Sequence, residues 1–192
     1  HMFIVIEGVD GVGKTSVARE LAAQLGAVYF RTPSDTLESF QMAATFQSGL
    51  PLRQYADQQA YCDPKVRFAF YVFAVIEASV HVERLLQHSS VVCDRFLSST
   101  LAYHRVLAPE LATADVSWAQ TIKPDLEILL DINDEHLHLQ RLRSRTPRSD
   151  RLLERNFRFL QLVRHEFHRL DLITLDTSYE GVSQVVAKIK SM

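Results

Sequence analysis

The sequence contains little cysteine and has no large excess of either charge. Its 192 residues include two cysteines, Cys62 and Cys93, which fit neither a disulfide framework nor a metal-ligand spacing. That usage favours a reducing compartment, so we expect a cytoplasmic protein. The net charge of -2 also excludes the broad basic surface that binds nucleic-acid polymers or anionic membranes, so any anion must be bound locally.

Long apolar segments are lacking as well. The first apolar run, Phe3–Ile6, is too short for a signal peptide or a membrane-spanning helix, and we expect no contact with a membrane. A hydrophobic share of 47% is nevertheless enough for a folded core. We interpret His1 as an expression-tag remnant and expect residues 2–192 to form a single domain.

Short apolar runs alternate with longer segments of helical period, which predicts an α/β protein built on a parallel sheet of about five strands. The predicted strands are Phe3–Ile6, Ala27–Phe30, Val91–Cys93, Leu126–Leu130 and Leu172–Leu175. The predicted helices begin near Lys14, Asp35, Pro64, Leu97, Asp134, Asp150 and Glu180. Strands and helices in this order favour helices on both faces of the sheet.

A complete phosphate-binding motif follows the first predicted strand and opens the first predicted helix. Its glycines allow backbone N–H groups to face phosphate oxygens, Lys14 adds a positive charge, and the Thr15 hydroxyl can bind Mg²⁺. A glycine-rich turn that binds nothing is disfavoured, because strand, motif and helix coincide. The predicted ATP-binding residues are Gly8, Val9, Asp10, Gly11, Val12, Gly13, Lys14, Thr15 and Ser16.

Asp94 ends the third predicted strand, where a carboxylate can reach a Mg²⁺ ion beside the phosphate-binding loop (P-loop). We therefore predict that Thr15 and Asp94 are the metal ligands. The alternative is that Asp94 caps the following helix, but Arg95 comes directly after it and makes that an unusual cap. Both interpretations place Asp94 at the edge of the site.

Four segments together resemble the thymidylate kinase family in identity, order and spacing. They are IEGVDGVGKT, CDRFLSSTLAYH, KPDLEILLDI and RLRSRTPRSDRLLE, and the resemblance covers nearly the whole chain. It implies a three-layer P-loop NTPase fold and transfer of the γ-phosphoryl group of ATP to a nucleoside monophosphate such as dTMP. It also implies small nucleotide substrates rather than a nucleic-acid polymer, and a homodimer.

The resemblance assigns roles to residues of the acceptor site. Asp10 would hold the 3′-hydroxyl of the acceptor sugar, and Arg95 would grip its monophosphate, for which a planar guanidinium is chemically suited. Tyr103 would lie against the deoxyribose, and Ser99 belongs to the same motif. Without the resemblance, a half-buried core aromatic is the better interpretation of Tyr103.

Some thymidylate kinases carry an arginine within the P-loop, and here Gly11 stands at that position. The resemblance assigns the missing charge to an arginine-rich lid at about 141–155, with Arg145 and Arg148 as catalytic candidates beside Lys14, Asp94 and Arg95. Arginines on a mobile lid can offset the charge on the transferring oxygens once both substrates are bound. The alternative is a solvated basic helix end.

The base pocket departs from the family pattern. A phenylalanine and, four residues later, an arginine read thymine in the family, and these positions align with Phe73 and Glu77. An ionised carboxylate cannot donate a hydrogen bond to a carbonyl. Either the alignment shifts, so that Arg67 or Arg84 serves, or the base is not thymine, or the pair is only a core aromatic and a surface acid.

Two rival functions stay open at this point. A deoxynucleoside kinase needs a carboxylate base to activate an alcohol, and its family places a glutamate before the proline that follows strand two. Here Thr32 precedes Pro33 and only Asp35 is near, which favours a phosphate acceptor. A P-loop protein that senses nucleotide would carry a damaged acceptor site, and the presence of Arg95 disfavours it.

Overall fold

The centre of the molecule is a five-stranded sheet in which every pair of neighbouring strands is parallel. A computed structural model describes residues 1–35, 63–144 and 157–192. The strands are β1 (Phe3–Glu7), β2 (Val28–Arg31), β3 (Val91–Asp94), β4 (Leu126–Asp131) and β5 (Ile173–Asp176). Their order across the sheet is β2-β3-β1-β4-β5, so β1 lies in the middle.

Helices connect these strands. In the described residues they are α1 (Lys14–Leu25), α2 (Pro64–Leu85), α3 (Leu97–Leu107), α4 (Glu135–Arg143), α5 (Phe157–His168) and α6 (Val182–Lys190). Two short 3₁₀ turns, Pro109–Leu111 and Ser117–Ala119, lie between α3 and β4. No helix in the described part of the chain is long and apolar enough to cross a membrane.

Local sequence signals start two of the helices. The Asp63 side chain accepts a hydrogen bond from the Lys65 N–H at 3.0 Å, and Pro64 occupies the first helical position of α2. Asp134 caps α4 in the same way, at 2.9 Å from the Leu137 N–H. Such caps satisfy N–H groups that the helix itself leaves without partners.

The sheet separates two apolar layers. Side chains alternate along a strand, so Ile4 and Ile6 pack against α1, α5 and α6, whereas Phe3 and Val5 pack against α2 on the other face. Burying β1 on both faces explains its continuous apolar sequence. This arrangement confirms the predicted three-layer fold.

All five predicted strands are present, and β2 and β5 each begin one residue later than predicted. Leu160, Val163 and Phe167 recur at helical spacing, form the inner face of α5 and are fully buried. Of the helix predicted to begin near Asp35, all positions after Asp35 fall outside the described residues, as does the start of the helix predicted near Asp150.

The P-loop follows the carboxyl end of β1, the middle strand of the sheet. β1 pairs with β3 on one side and with β4 on the other, and the chain leaves β1 directly into the motif. Ligands of open parallel sheets bind beyond the carboxyl ends of the strands, where neighbouring connections diverge. Ile6 lies opposite Asp94 in this register, so the predicted metal ligand ends beside the P-loop.

Candidate active site

The P-loop follows a backbone path that only glycine can follow at its first position. Gly8 has φ 138°, and a Cβ atom there would lie 2.4 Å from the carbonyl oxygen of Leu130. Gly13 has φ 97° and stands immediately before α1. The loop therefore passes close to β4 and turns into the N-terminus of a helix, where an anion is favoured.

Side chains from several elements hold the carbonyl groups of the P-loop. Arg95 donates to Gly8 O at 3.2 Å, Lys14 to Val9 O at 2.7 Å, His138 Nε2 to Asp10 O at 2.6 Å, and Thr177 Oγ1 to Val12 O at 3.0 Å. The C=O and the following N–H of a trans peptide point in opposite directions. These contacts thus turn the N–H groups of residues 9, 10, 11 and 13 away from the donors, so that together they can face a phosphate.

Thr15 and Asp94 meet beside the loop, as a metal site requires. The Thr15 hydroxyl donates to Asp94 Oδ2 at 2.6 Å, and Asp94 Oδ1 is buried without a hydrogen-bond partner among the described residues. A hydroxyl and a carboxylate are oxygen ligands suited to Mg²⁺. The Tyr29 hydroxyl lies 3.4 Å from Oδ2, and burial and the Asp94 charge raise the pKa of Tyr29 to about 12, so it remains a neutral donor.

Ser16 and the two valines of the motif differ in their surroundings. The Ser16 side chain is exposed on the first turn of α1. Val9 and Val12 are buried in the core, so only their backbone groups can face a phosphate. The prediction that these residues bind ATP thus concerns backbone N–H groups for the valines and the side-chain hydroxyl for Ser16.

Arg95 joins the P-loop to α3. One guanidinium nitrogen, Nη1, donates to Gly8 O at 3.2 Å and to Ser99 Oγ at 3.1 Å, and the other, Nη2, donates to Asp10 Oδ1. The Arg95 backbone has φ 70°, which is unusual for a residue that is not glycine. A non-glycine residue kept in this conformation indicates that its surroundings fix it.

Tyr103 takes part in both the site and the core. Its hydroxyl lies 3.4 Å from Arg95 Nη2, and its ring lies under the Arg95 guanidinium at 5.2 Å from the ring centroid. The same ring is buried and makes an edge contact with Phe159 of α5 at 6.0 Å between centroids. The structure therefore places Asp10, Arg95, Ser99 and Tyr103 together.

A buried glutamate orders the start of α3, and the sequence pattern did not single it out. Glu7 is fully buried at the end of β1 and accepts hydrogen bonds from the N–H groups of Phe96 and Ser99 and from the Ser99 hydroxyl. It caps α3 from another element, because the side chain of Phe96 cannot. Burial, reinforced by the nearby Glu127, raises the pKa of Glu7 to about 7.

The two predicted base-reading residues lie on α2 in different surroundings. Phe73 is 53% exposed. Both Glu77 carboxylate oxygens accept from the Ser34 hydroxyl, at 2.9 and 2.8 Å, and Oε1 pairs with His81 Nε2 at 2.8 Å. Glu77 thus connects α2 to the segment after β2, and its reading of a base stays a prediction.

The alternative base readers are also separated from each other. Arg67 is buried between α2 and α3, where it donates to His104 Nε2 at 3.0 Å and stacks on Tyr71 at 4.6 Å. Arg84 is exposed near the other end of α2. One helix thus carries one arginine packed against α3 and another that faces solvent.

The lid candidates Arg145 and Arg148 lie outside the described residues. Arg141, four positions before Arg145 in the sequence, lies on α4 and donates to the carbonyl oxygens of Thr177 and Ser178 at 2.9 and 3.1 Å. This first arginine of the basic stretch therefore ties α4 to the loop after β5.

The sequence pattern missed three residues that shape the site, namely Glu7, His138 and Thr177. A charged residue inside an otherwise apolar strand was the available signal for Glu7. His138 and Thr177 had none, because their roles come from contacts between distant segments of the chain.

Comparison with known proteins supports the resemblance to thymidylate kinases. The family model for thymidylate kinase matches residues 6–189. The thymidylate kinase of Enterococcus faecalis is 31% identical over 183 residues, which cover 88% of this chain and 82% of that protein.

Two solved structures share the fold. That of the thymidylate kinase from Candida albicans, described as having broad substrate specificity, has a TM-score of 0.71 at 18% identity and covers 99% of this chain and 89% of its own. That of the thymidylate kinase from Ehrlichia chaffeensis has a TM-score of 0.64 at 21% identity and covers 99% and 97%. The P-loop, Asp94 and Arg95 meet at the carboxyl ends of the strands. Because the family model also spans almost every residue, the chain belongs to the thymidylate kinase family.

Proposed function

We propose that this ATP-dependent nucleoside monophosphate kinase transfers the γ-phosphoryl group of ATP to dTMP, with Mg²⁺ bound between Thr15, Asp94 and the nucleotide. The contact of Arg95 with both the P-loop and Asp10 carries the proposal. This contact supports an arrangement in which a cation suited to an acceptor phosphate lies directly beside the donor phosphates. Phosphoryl transfer depends mainly on such positioning and on charge stabilisation.

The donor half of the site consists of the P-loop and Lys14. The Lys14 ammonium lies 2.7 Å from Val9 O and 3.7 Å from Asp10 Oδ1, close to where the β- and γ-phosphates would lie. Mg²⁺, when bound, would neutralise charge on the phosphate oxygens. Asp94 Oδ1, which has no hydrogen-bond partner in the described part of the chain, and the adjacent Thr15 hydroxyl would supply its protein ligands.

The acceptor half consists of Asp10, Arg95, Ser99 and Tyr103. We propose that the Arg95 guanidinium exchanges part of its contact with Asp10 for the monophosphate of the acceptor, which frees the Asp10 carboxylate to hold the sugar 3′-hydroxyl. Charge-assisted pairs of guanidinium and phosphate are strong enough for such an exchange. The buried Tyr103 ring would then limit space beside the sugar.

For the base we propose thymine, with Phe73 as a stacking surface. The exposed ring of Phe73 is accessible on α2. Because Glu77 already accepts from Ser34 and pairs with His81, it need not leave an unpartnered carboxylate facing a thymine carbonyl. In the competing hypothesis, Glu77 selects a base with an exocyclic amino group, which would have to share the carboxylate with Ser34 and His81.

We further propose that Arg145 and Arg148 belong to a lid that supplies positive charge during transfer. Gly11, without a side chain, leaves that charge to other segments. An arginine that acts mainly in the closed complex should affect kcat more than ATP binding.

A homodimer is proposed through α2. Val66 and Val80 stand fourteen residues apart on one side of the helix and are 38% and 44% exposed, so that side presents apolar positions besides the ring assigned to the base. Burying such positions against a second copy is favourable. Light scattering of the wild type and of Val80→Glu tests this, and a monomeric wild type would contradict it.

ADP release, measured against a panel of acceptors, tests the function. We expect kcat/KM to be highest for dTMP among dTMP, dUMP, dCMP, dAMP and dGMP, and activity to disappear when EDTA removes Mg²⁺. Faster turnover of thymidine than of dTMP would indicate a deoxynucleoside kinase. ATP binding without turnover of any acceptor would indicate a nucleotide sensor.

A further inference from the structure

His138 on α4 is buried against the P-loop, 128 residues away along the chain. Its side chain has no solvent exposure, and its Nε2 lies 2.6 Å from the carbonyl oxygen of Asp10. The ring also makes an edge contact with Phe157 of α5 at 5.4 Å between centroids. A polar side chain therefore fills the space between the P-loop and two helices.

The contact fixes the tautomer of the ring. A carbonyl oxygen only accepts hydrogen bonds, so Nε2 must carry the proton. Nδ1 is buried and has no hydrogen-bond partner among the described residues, so it suits the unprotonated nitrogen of a neutral ring. Burial lowers the pKa of His138, and the positive charges of Lys14 and Arg164 lower it further, against opposing effects of the Asp10 carbonyl and Asp131.

The ring also fits tightly against Gly11. A Cβ atom built on Gly11 would lie 2.9 Å from His138 Cδ2 and 3.1 Å from both its Nε2 and Leu142 Cδ2. His138 thus occupies the volume that any P-loop side chain would need at this position. The loop and α4 are fitted to each other by shape as well as by the hydrogen bond.

We propose that His138 is a positioning residue of the phosphoryl transfer, because its Nε2–H holds the Asp10–Gly11 peptide in the orientation in which the Gly11 N–H faces the donor phosphates. The C=O and N–H of that peptide are opposed, so one hydrogen bond sets both directions. The carboxylate of the same residue, Asp10, accepts from Arg95, so rotation of this peptide would also move the carboxylate at the acceptor. His138 thereby connects the two halves of the site without touching either substrate.

The proposal rests on the proposed function, and two substitutions separate its components. His138→Phe keeps a ring of similar size but removes the donor, whereas His138→Gln places an amide N–H about as far along the side chain as Nε2. His136→Phe is the matched control, because His136 is exposed on the same helix.

Steady-state kinetics and calorimetric binding of Mg²⁺ and a non-hydrolysable ATP analogue give the test. We expect His138→Phe to lower kcat/KM for ATP and acceptor by roughly ten- to a hundredfold in folded protein, since small misplacements of reacting groups cost that much. Affinity for the analogue should fall as well. His138→Gln should recover most of both, and His136→Phe should match the wild type.

Three results would overturn the proposal. They are wild-type kinetics in His138→Phe, equal losses in His138→Phe and His138→Gln, and a loss explained entirely by a smaller folded fraction at the assay temperature. If the wild type turns over no nucleoside monophosphate, the proposed function fails, whereas analogue binding still measures the effect of His138 on the P-loop.

Discussion

The proposed donor and acceptor halves of the site reach unusual backbone conformations by different means. On the donor side, the glycines of the P-loop adopt positive φ angles at little steric cost. On the acceptor side, Arg95 has φ 70° although it carries a long side chain, and the buried Glu7 holds the N–H groups that follow it. A loop that must approach phosphate closely needs small residues, whereas one that must present a guanidinium needs external support.

The largest effect should come from the donor side. Lys14→Ala should abolish phosphoryl transfer, because it removes the charge nearest the transferring group, and we expect a loss of at least a thousandfold in kcat. Circular dichroism should show an intact fold, since the Lys14 ammonium contacts the loop rather than the apolar core. Turnover within tenfold of the wild type would place the donor phosphates elsewhere.

On the acceptor side, Arg95→Lys should raise KM for dTMP and lower kcat/KM by roughly a hundredfold, since lysine cannot reproduce paired guanidinium bonds. The affinity for ATP alone should change little, and titration calorimetry measures it. A larger effect on ATP than on dTMP would assign Arg95 to the donor half and remove the distinction between the two halves.

Glu7, which holds the N–H groups that follow Arg95, should make the stability of the protein depend on pH. A carboxyl whose pKa is raised on folding contributes stability that is fully present below about pH 4.5 and is lost as the pH rises through about 7. Relative to Glu7→Gln, the free energy of unfolding of the wild type should therefore fall by roughly 2 kcal/mol between pH 5 and pH 8.

Urea unfolding of both proteins at several pH values measures this difference. Glu83→Gln, a change of an exposed carboxylate on α2, serves as the control and should show no such trend. Parallel curves for the wild type and Glu7→Gln would mean that Glu7 keeps an ordinary pKa in the folded protein.

The smallest effect is expected at the outer edge of the acceptor half. Glu77→Gln retains an acceptor for Ser34 and loses the contact of the carboxylate with His81, so the order of preference among dTMP, dUMP and dCMP should stay the same, with changes within about threefold. If dTMP becomes the preferred acceptor only in Glu77→Gln and not in the wild type, the Glu77 carboxylate reads the base.

The proposed donor half follows from a local sequence pattern, whereas the proposed acceptor half follows from the family resemblance, for a physical reason. Glycine spacing between a strand and a helix is a local requirement, so Gly8 and Lys14 could be assigned from neighbouring residues alone. Arg95 was found through a family motif, whereas Glu7 acts across 89 positions and His138 across 128. Contacts between such distant residues depend on the order of the strands in the sheet, which cannot be read directly from one sequence.

Element types were predictable because burial imposes them. β1 is apolar at Phe3–Ile6 since both of its faces are covered, and α5 repeats apolar residues at helical spacing since only one face is. The first residues of β2 and β5 were less clear from the sequence. Both are edge strands, where exposed positions weaken the apolar pattern.

Cys93 lies in β3, next to the central strand β1, and its burial makes its reactivity a measure of how often the fold opens. The thiol is fully buried in β3, its S–H donates to Arg95 O at 3.1 Å, and burial raises its pKa. Only the thiolate reacts with disulfide reagents. In a Cys62→Ser background, the labelling rate of Cys93 therefore reports how often β3 becomes exposed, and bound nucleotide should slow it more as the stability that binding adds increases.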